Sequence, residues 1–136
     1  MRKGYNKIEM QVYVKGSQKA IELYQRAFGA EMGYNVRNPD GTYMHAELMR
    51  NGQFFLAVSE AGDDINTVVI PKYPVMNFSV EFENEEAVRK AYEVLSENSP
   101  ICTPIRVLPW SDCCADVVDR FGVYWYITVP GHRPAE

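Results

Sequence analysis

Alternation and helical spacing of the apolar residues predict the first two elements. Residues 9–14 alternate polar and apolar with period two, which is typical of a strand with one apolar face. From Gln18 to Phe28 the apolar side chains recur along one face of a helix, and Gly29 suits the position just after its end. Ser17 is predicted to be the N-terminal cap of this helix.

Three strands are predicted to follow this helix. They cover residues 31–37, 43–49 and 53–59. A dense turn sequence, 38–41, separates the first two, and Asn51-Gly52 is the strongest short signal for a hairpin between the last two.

The second half of the chain repeats this order. A strand is predicted at 75–83, Asn84 as a helix cap, and a helix from Glu85 to Leu95. Further strands are predicted at 101–108, 112–119 and 123–129. Ala20-Ile21 matches Ala87-Val88 in the paired helices, and the last strands of the two halves also match. A duplicated β-α-β-β-β unit is therefore expected.

One α+β domain is predicted to span residues 1–136. Its first module covers about 5–60 and its second about 75–130. The connection, 61–74, contains Pro71 and Pro74 and has no regular periodicity.

The pleat divides each strand into an apolar face, expected to pack on the helices, and a polar and aromatic face. A polar face rich in Tyr, His, Asn and Glu suits a ligand pocket, although an ordinary half-solvated sheet gives the same alternation. The residues assigned to the apolar faces are Met10, Val12 and Val14; Met44, Ala46 and Leu48; Met76, Phe78, Val80 and Phe82; and Val123, Trp125, Ile127 and Val129.

Composition and charge exclude several classes of function. A net charge of −4 with no basic face argues against a nucleic-acid partner. No segment is apolar enough to span a membrane and the N-terminus does not resemble a signal peptide, so a cytoplasmic protein is expected. Three cysteines do not make a disulfide framework.

His45 and Glu47 are the leading candidates for chemistry. They lie two residues apart on one strand, so their side chains point the same way, and an imidazole beside a carboxylate can act as acid or base. A histidine that only forms a hydrogen bond across the sheet is the alternative. His132 lies in the tail and is expected to be solvated.

Three other features have both a structural and a functional interpretation. Trp110 and Asp112 could wall a pocket or shape a turn. Asp119 is expected to cap a tight turn. The adjacent Cys113 and Cys114 are expected to be small buried hydrophobic residues rather than a reactive pair.

Three segments carry a family resemblance beyond the repeated order of elements. The segments are 20–30 (AIELYQRAFGA), 44–48 (MHAEL), and 110–112 (WSD) continuing to 119–125 (DRFGVYW). The paired β-α-β-β-β halves resemble the vicinal-oxygen-chelate superfamily, which includes glyoxalase I, bleomycin-resistance proteins and dioxygenases. The three segments are similar to its PhnB-like branch, also labelled demethylubiquinone-methyltransferase-like.

This resemblance implies two curled mixed sheets and a homodimer. In metal-dependent members each half supplies two ligands, and the matching positions here are Glu9, Ala57, Asn77 and Tyr126. Because only one of these is a good ligand, no metal or other cofactor is predicted. A divalent metal remains possible through a shifted set that combines Glu9 with His45 or Glu47.

The resulting hypothesis is a metal-independent protein that binds a small molecule in a cup of β-sheet. The predicted lining is Glu9, Gln11, His45, Asn77, Trp110 and Tyr126. One alternative is a glyoxalase-like isomerase or lyase that uses His45 and Glu47 as acid and base. Another is a structural or partner-binding dimer.

Overall fold

The computed structural model describes residues 8–62 and 75–131, and the predicted connection and His132 lie largely or wholly outside these ranges. The order of elements confirms the repeated β-α-β-β-β pattern. The elements are β1 (Gln11–Val14), α1 (Ser17–Phe28), β2 (Glu31–Arg37), β3 (Tyr43–Arg50), β4 (Gln53–Glu60), β5 (Phe78–Glu81), α2 (Glu85–Leu95), β6 (Ile101–Cys102), β7 (Arg106–Leu108), β8 (Ser111–Val118) and β9 (Tyr124–Thr128).

Each module forms its own mixed sheet. The first has the strand order β1-β4-β3-β2, and the second has β5-β9-β8-β6 with β7 also paired to β8. In both modules the first strand runs parallel to the last, β1 beside β4 and β5 beside β9. The shared topology confirms an α+β fold built by duplication.

An aromatic cluster joins the two modules on the helical side of the sheets. The Phe28 ring at the end of α1 lies 4.7 Å from Trp125 of β9, 5.1 Å from Phe55 of β4 and 5.9 Å from Phe82, measured between centroids. Tyr24 packs edge-on against Trp125 at 5.4 Å. The apolar core is therefore continuous between the modules.

A buried hydrogen-bond centre adds to this junction. Asp119, 0% exposed, lies at the turn between β8 and β9. Its Oδ2 accepts from the Tyr24 hydroxyl at 2.8 Å and from Trp125 Nε1 at 2.9 Å, while its Oδ1 accepts from the backbone N–H groups of Phe121 and Val123. Burial and the neighbouring Asp119 carboxylate raise the pKa of the Tyr24 phenol. Asp119 thus caps its turn, as the sequence predicted, and also links the modules.

The two helices begin differently. Asn84 caps α2, accepting a hydrogen bond from the Ala87 N–H as predicted. The prediction for α1 is wrong, because Gly16 at φ 90° occupies the cap position and Ser17 is the first helical residue. Glu60 of β4 accepts from the backbone N–H groups of Gly16 and Ser17. Burial would raise the pKa of Glu60, but these hydrogen bonds outweigh it and the pKa is lowered.

A β-bulge corrects the predicted face of one strand. The pairing of β2 with β3 steps from Val36–His45 to Arg37–Tyr43, which leaves Met44 as an extra residue. Met44 is therefore exposed, and Tyr43 is buried on the side where Met44 was expected.

The strand bounds differ most from prediction in two places, and elsewhere by one or two residues. The strand expected at 101–108 is split into β6 and β7 around Pro104, which has no N–H to donate to a ladder. β5 begins only at Phe78, so Met76 precedes the sheet and is exposed instead of buried. No helix in the described part of the chain is long and apolar enough to cross a membrane.

Candidate functional site

Each sheet has an open face, meaning the face turned away from the helices. The first open face is formed by residues that pair across β1, β4 and β3. Gln11, Ala57 and Glu47 stand in one row, and Tyr13 pairs with Ser59 in the next. Ala57 and Ser59 on the middle strand, β4, have short side chains. The side chains beside them on β1 and β3, such as Gln11, Tyr13 and Glu47, are longer. The residues that define this first open face are Gln11, Tyr13, His45, Glu47, Ala57 and Ser59.

His45 and Glu47 meet on the first open face, as their spacing predicted. His45 Nε2 lies 3.0 Å from Glu47 Oε2, and the side chains are 32% and 31% exposed. The Tyr34 ring lies beside the imidazole at 6.2 Å. A carboxylate in this position can fix the tautomer of the imidazole and increase its basicity.

The second open face is formed in the same way across β5, β9, β8 and β6. Ser79 pairs with Tyr126, and Tyr126 with Asp116. The row beside it contains Tyr124, Val118 and Ile101. The residues that define this second open face are Asn77, Ser79, Ile101, Thr103, Asp116, Val118, Tyr124 and Tyr126.

A cavity of about 400 Å³ lies on the second open face. Apolar side chains such as Ile101 and Val118 form much of its lining, and Asn77, Thr103 and Asp116 add polar groups. A mostly apolar cavity with a few convergent polar groups is the usual form of a small-molecule site.

A polar network extends the second open face beyond this cavity. Arg106 Nη2 donates to Asp116 Oδ2 at 2.6 Å and Nη1 donates to Thr103 Oγ1 at 3.0 Å. The hydrogen bond that Arg106 donates to Asp116 raises the pKa of the Arg106 guanidinium. Trp110 Nε1 donates to the Tyr126 hydroxyl at 3.0 Å. Burial, followed by the hydrogen bond with Cys114, raises the pKa of the Tyr126 phenol.

The adjacent cysteines point to opposite faces of β8. Cys113 belongs to the core, and burial raises the pKa of its thiol. Cys114 pairs with Arg106 and Thr128 on the side of the second open face, and its thiol lies 3.5 Å from the Arg106 carbonyl oxygen. Both are buried and free, which agrees with the structural interpretation, whereas Cys102 is exposed.

The structure groups some of the predicted site residues and separates others. His45, Glu47 and Gln11 share the first open face, while Asn77 and Tyr126 share the second. Trp110 lies in the turn between β7 and β8 and donates to Tyr126. Glu9 precedes β1 and lines a cleft with Ser79 and Glu81 of β5. Both open faces are open to solvent in one chain: Tyr13 is 63% exposed, Tyr34 66% and Trp110 49%.

Several residues of the second open face were missed from the sequence. Asp116 could have been found, because it alternates with Asp112 and Cys114 along β8. Arg106 had no such signal, since its pairing depends on the break between β6 and β7. Thr103 also needs the sheet register before it can be placed, whereas alternation alone puts Tyr124 on the polar face of the last strand.

Comparison with known proteins gives matches among solved structures. No protein-family model matches the chain, and no curated protein matches it. A PhnB protein from Bacillus cereus, whose name carries a provisional assignment as a 3-demethylubiquinone-9 3-methyltransferase, is 25% identical with a TM-score of 0.72; the match covers 91% of this chain and 99% of that one.

Two other solved structures share the fold. A glyoxylase/bleomycin resistance protein/dioxygenase domain from Frankia sp. is 14% identical with a TM-score of 0.67, and the match covers 96% of this chain and 99% of that one. The fosfomycin resistance protein FosX from Listeria monocytogenes, solved with Mn(II) and sulfate, is 16% identical with a TM-score of 0.63, covering 96% and 92%.

The duplicated modules and these likenesses define the chain as a member of the vicinal-oxygen-chelate superfamily. The likeness to the PhnB protein agrees with the segments that resembled the PhnB-like branch in the sequence.

The donor set in one chain does not fit a divalent metal. Of the four matching positions, Ala57 has no donor side chain, Asn77 and Tyr126 are weak donors, and only Glu9 is a carboxylate. In residues 8–62 and 75–131 no three His, Cys, Asp or Glu side chains come together as a metal site.

Proposed function

We propose that this protein binds a small organic molecule on the open faces of its sheets, as a cytoplasmic homodimer and without a divalent metal. The observation that carries this proposal is the cavity of about 400 Å³ on the second open face. Its volume falls within the usual range of roughly 300–1,000 Å³ for small-molecule pockets. In a purely structural dimer the protein's own side chains would fill this face. A cavity that they leave open, with polar groups in its lining, therefore favours a binding role.

The exposure of both open faces supports the dimer. Large aromatic side chains such as Tyr13, Tyr34 and Trp110 stand in solvent when the chain is alone. A ligand pocket normally surrounds most of its ligand, so a second copy placed over these faces would enclose the site. The polar residues of the two faces would then act on one ligand.

A thermal-shift measurement tests the metal-free site. We expect the melting temperature to be unchanged by Mn²⁺ or by EDTA, because the described donor set lacks the ligands. A small organic ligand at 100 times its Kd should stabilise the protein by about 2.7 kcal/mol. The proposal is overturned if Mn²⁺ raises the melting temperature and Glu9→Ala or His45→Ala abolishes that rise while Glu93→Ala, a change on the exposed face of α2, does not.

A second candidate function is an isomerase or lyase. The hydrogen bond between His45 and Glu47 on the first open face favours it, because this pair can move a proton to or from a bound molecule. No step through a metal is part of this candidate.

Replacing His45 by alanine separates binding from catalysis. Each small organic molecule that raises the melting temperature would be incubated with the protein, and its chemical conversion would be followed by NMR. If the protein is an enzyme, His45→Ala should lower turnover by about 100-fold or more while affinity changes only modestly. Turnover that is unchanged in His45→Ala, as in the exposed control Glu93→Ala, would rule out this role for the imidazole.

A further inference from the structure

A second cavity lies at the junction between the modules. Its volume is about 490 Å³, and it shares no lining residue with the cavity on the second open face. We call it the junction cavity. It is bounded by the end of α1, the β3–β4 hairpin, the end of β5 and the start of α2; the residues that line it are Arg26, Ala27, Phe28, Gly29, Arg50, Asn51, Glu81, Phe82, Glu83, Ala87, Lys90 and Pro130.

Arg50 is held across the junction by neutral partners. Its Nε donates to the Phe28 carbonyl oxygen at 3.2 Å, and its Nη2 donates to the Glu81 carbonyl oxygen at 2.9 Å. The guanidinium carbon lies 4.8 Å from the Phe82 ring centroid and 5.6 Å from that of Phe55. One hydrogen bond goes to each module, so the side chain has a fixed position.

The charge of Arg50 has no ion-pair partner among the described residues. Burial lowers the pKa of this guanidinium, and the more distant Glu83 carboxylate offsets that effect only in part. A partly buried cation without an anion costs free energy, which an incoming anion would offset.

The geometry of the guanidinium leaves an edge for such an anion. The Nε–Nη2 edge is occupied by the two carbonyl oxygens, while Nη1 makes no hydrogen bond to a described residue. A planar guanidinium binds carboxylate or phosphate oxygens through two parallel N–H groups, and the Nη1–Nη2 edge can do so here.

The other charged residues of the junction cavity would affect anion binding in different ways. Lys90 on α2 lines it and is exposed. Arg26 also lines it but is committed to an ion pair with Glu97. The exposed Glu81 and Glu83 also line the cavity and would weaken anion binding. Ala87 and Pro130 provide apolar surface, whereas Phe28 and Phe82 are almost fully buried.

We propose that the junction cavity binds a small organic anion, a carboxylate or phosphate ester with an apolar body, through Arg50 and Lys90. The anionic group lies against the free edge of Arg50, and the apolar body packs on the apolar surface of Ala87 and Pro130. This site is separate from the open faces, so it does not depend on the function proposed for them.

The test uses benzoate and phenyl phosphate as probes, with benzyl alcohol as the neutral isostere, at constant ionic strength. Amide NMR shifts of the full chain should change saturably at Gly29, Asn51 and Lys90 with either anion and not with benzyl alcohol. A response to one anion alone assigns the ligand as carboxylate or phosphate.

Variants of the charged residues test how each charge changes the affinity for the probe. Lys90→Gln should weaken probe binding about threefold and Glu83→Gln should tighten it by a similar factor, the size expected for exposed charges. Arg50→Lys should weaken it about tenfold, because a lysine loses the bidentate geometry. Arg89→Gln, which removes a neighbouring exposed charge outside the cavity, should have no effect.

Two results would overturn the proposal. One is the absence of saturable shifts at the cavity residues with both anions. The other is probe affinity that is unaffected by Lys90→Gln and Glu83→Gln, both of which change only exposed side chains and leave the fold intact. Probe binding on the second open face would instead shift Asn77 and Tyr124, so failure of this site and failure of the proposed function are distinguishable.

Discussion

Replacing Asp119 by alanine is expected to destabilise the fold by about 3–4 kcal/mol. The carboxylate is fully buried and accepts four hydrogen bonds, from Tyr24, Trp125 and two backbone N–H groups. Alanine would leave all four donors without their partner in the core. Urea unfolding followed by circular dichroism measures the change.

Two further variants show whether the hydrogen bonds are responsible. Asp119→Asn keeps the shape of the side chain but replaces one of its two acceptor oxygens. Its loss in the free energy of unfolding should therefore lie between zero and the loss in Asp119→Ala. Asp112→Ala removes a carboxylate from an exposed position of the adjacent strand and should change stability by no more than about 0.5 kcal/mol. Equal losses for Asp112→Ala and Asp119→Ala would contradict the role given to Asp119.

Replacing Trp125 by alanine is expected to cost about 3–5 kcal/mol. Trp125 is 1% exposed and its ring lies against Tyr24 and Phe28 of the first module and Phe78 of the second. The cavity left behind would separate the two modules at the point where their cores meet. Thermal and urea unfolding measure the loss, and a broader transition would show that the modules unfold less cooperatively.

The other tryptophan is a matched control. Trp110 is 49% exposed, and its Nε1 donates to the Tyr126 hydroxyl. Trp110→Ala should therefore have little effect on stability. If Trp110→Ala destabilised the protein as much as Trp125→Ala, the aromatic cluster could not be what joins the modules.

The sequence predicts those parts of the fold that local patterns determine. The bounds of α2 and β2 agree with their predicted bounds, because apolar spacing, a capping asparagine and turn residues all indicate the same limits. The contact between His45 and Glu47 was also predictable, since it needs only the two-residue period of a strand.

Features that depend on pairing between strands could not be predicted. The bulge at Met44 arises from the register of β2 against β3, and the alternation in the sequence does not show it. Arg106 reaches Asp116 only because β7 lies beside β8. Arg50 looks like an ordinary charged residue at a hairpin, and its role at the junction appears only when the two modules are packed together.

The Tyr24–Asp119 hydrogen bond has a consequence for the history of the duplication. The spacing that aligns the two helices places Tyr24 opposite Ala91, whose side chain has no group to donate. The equivalent of Tyr24 therefore cannot make the same contact from the second module. The two copies are therefore no longer interchangeable at this position, because the contact can be made only from the first helix to the turn of the second module.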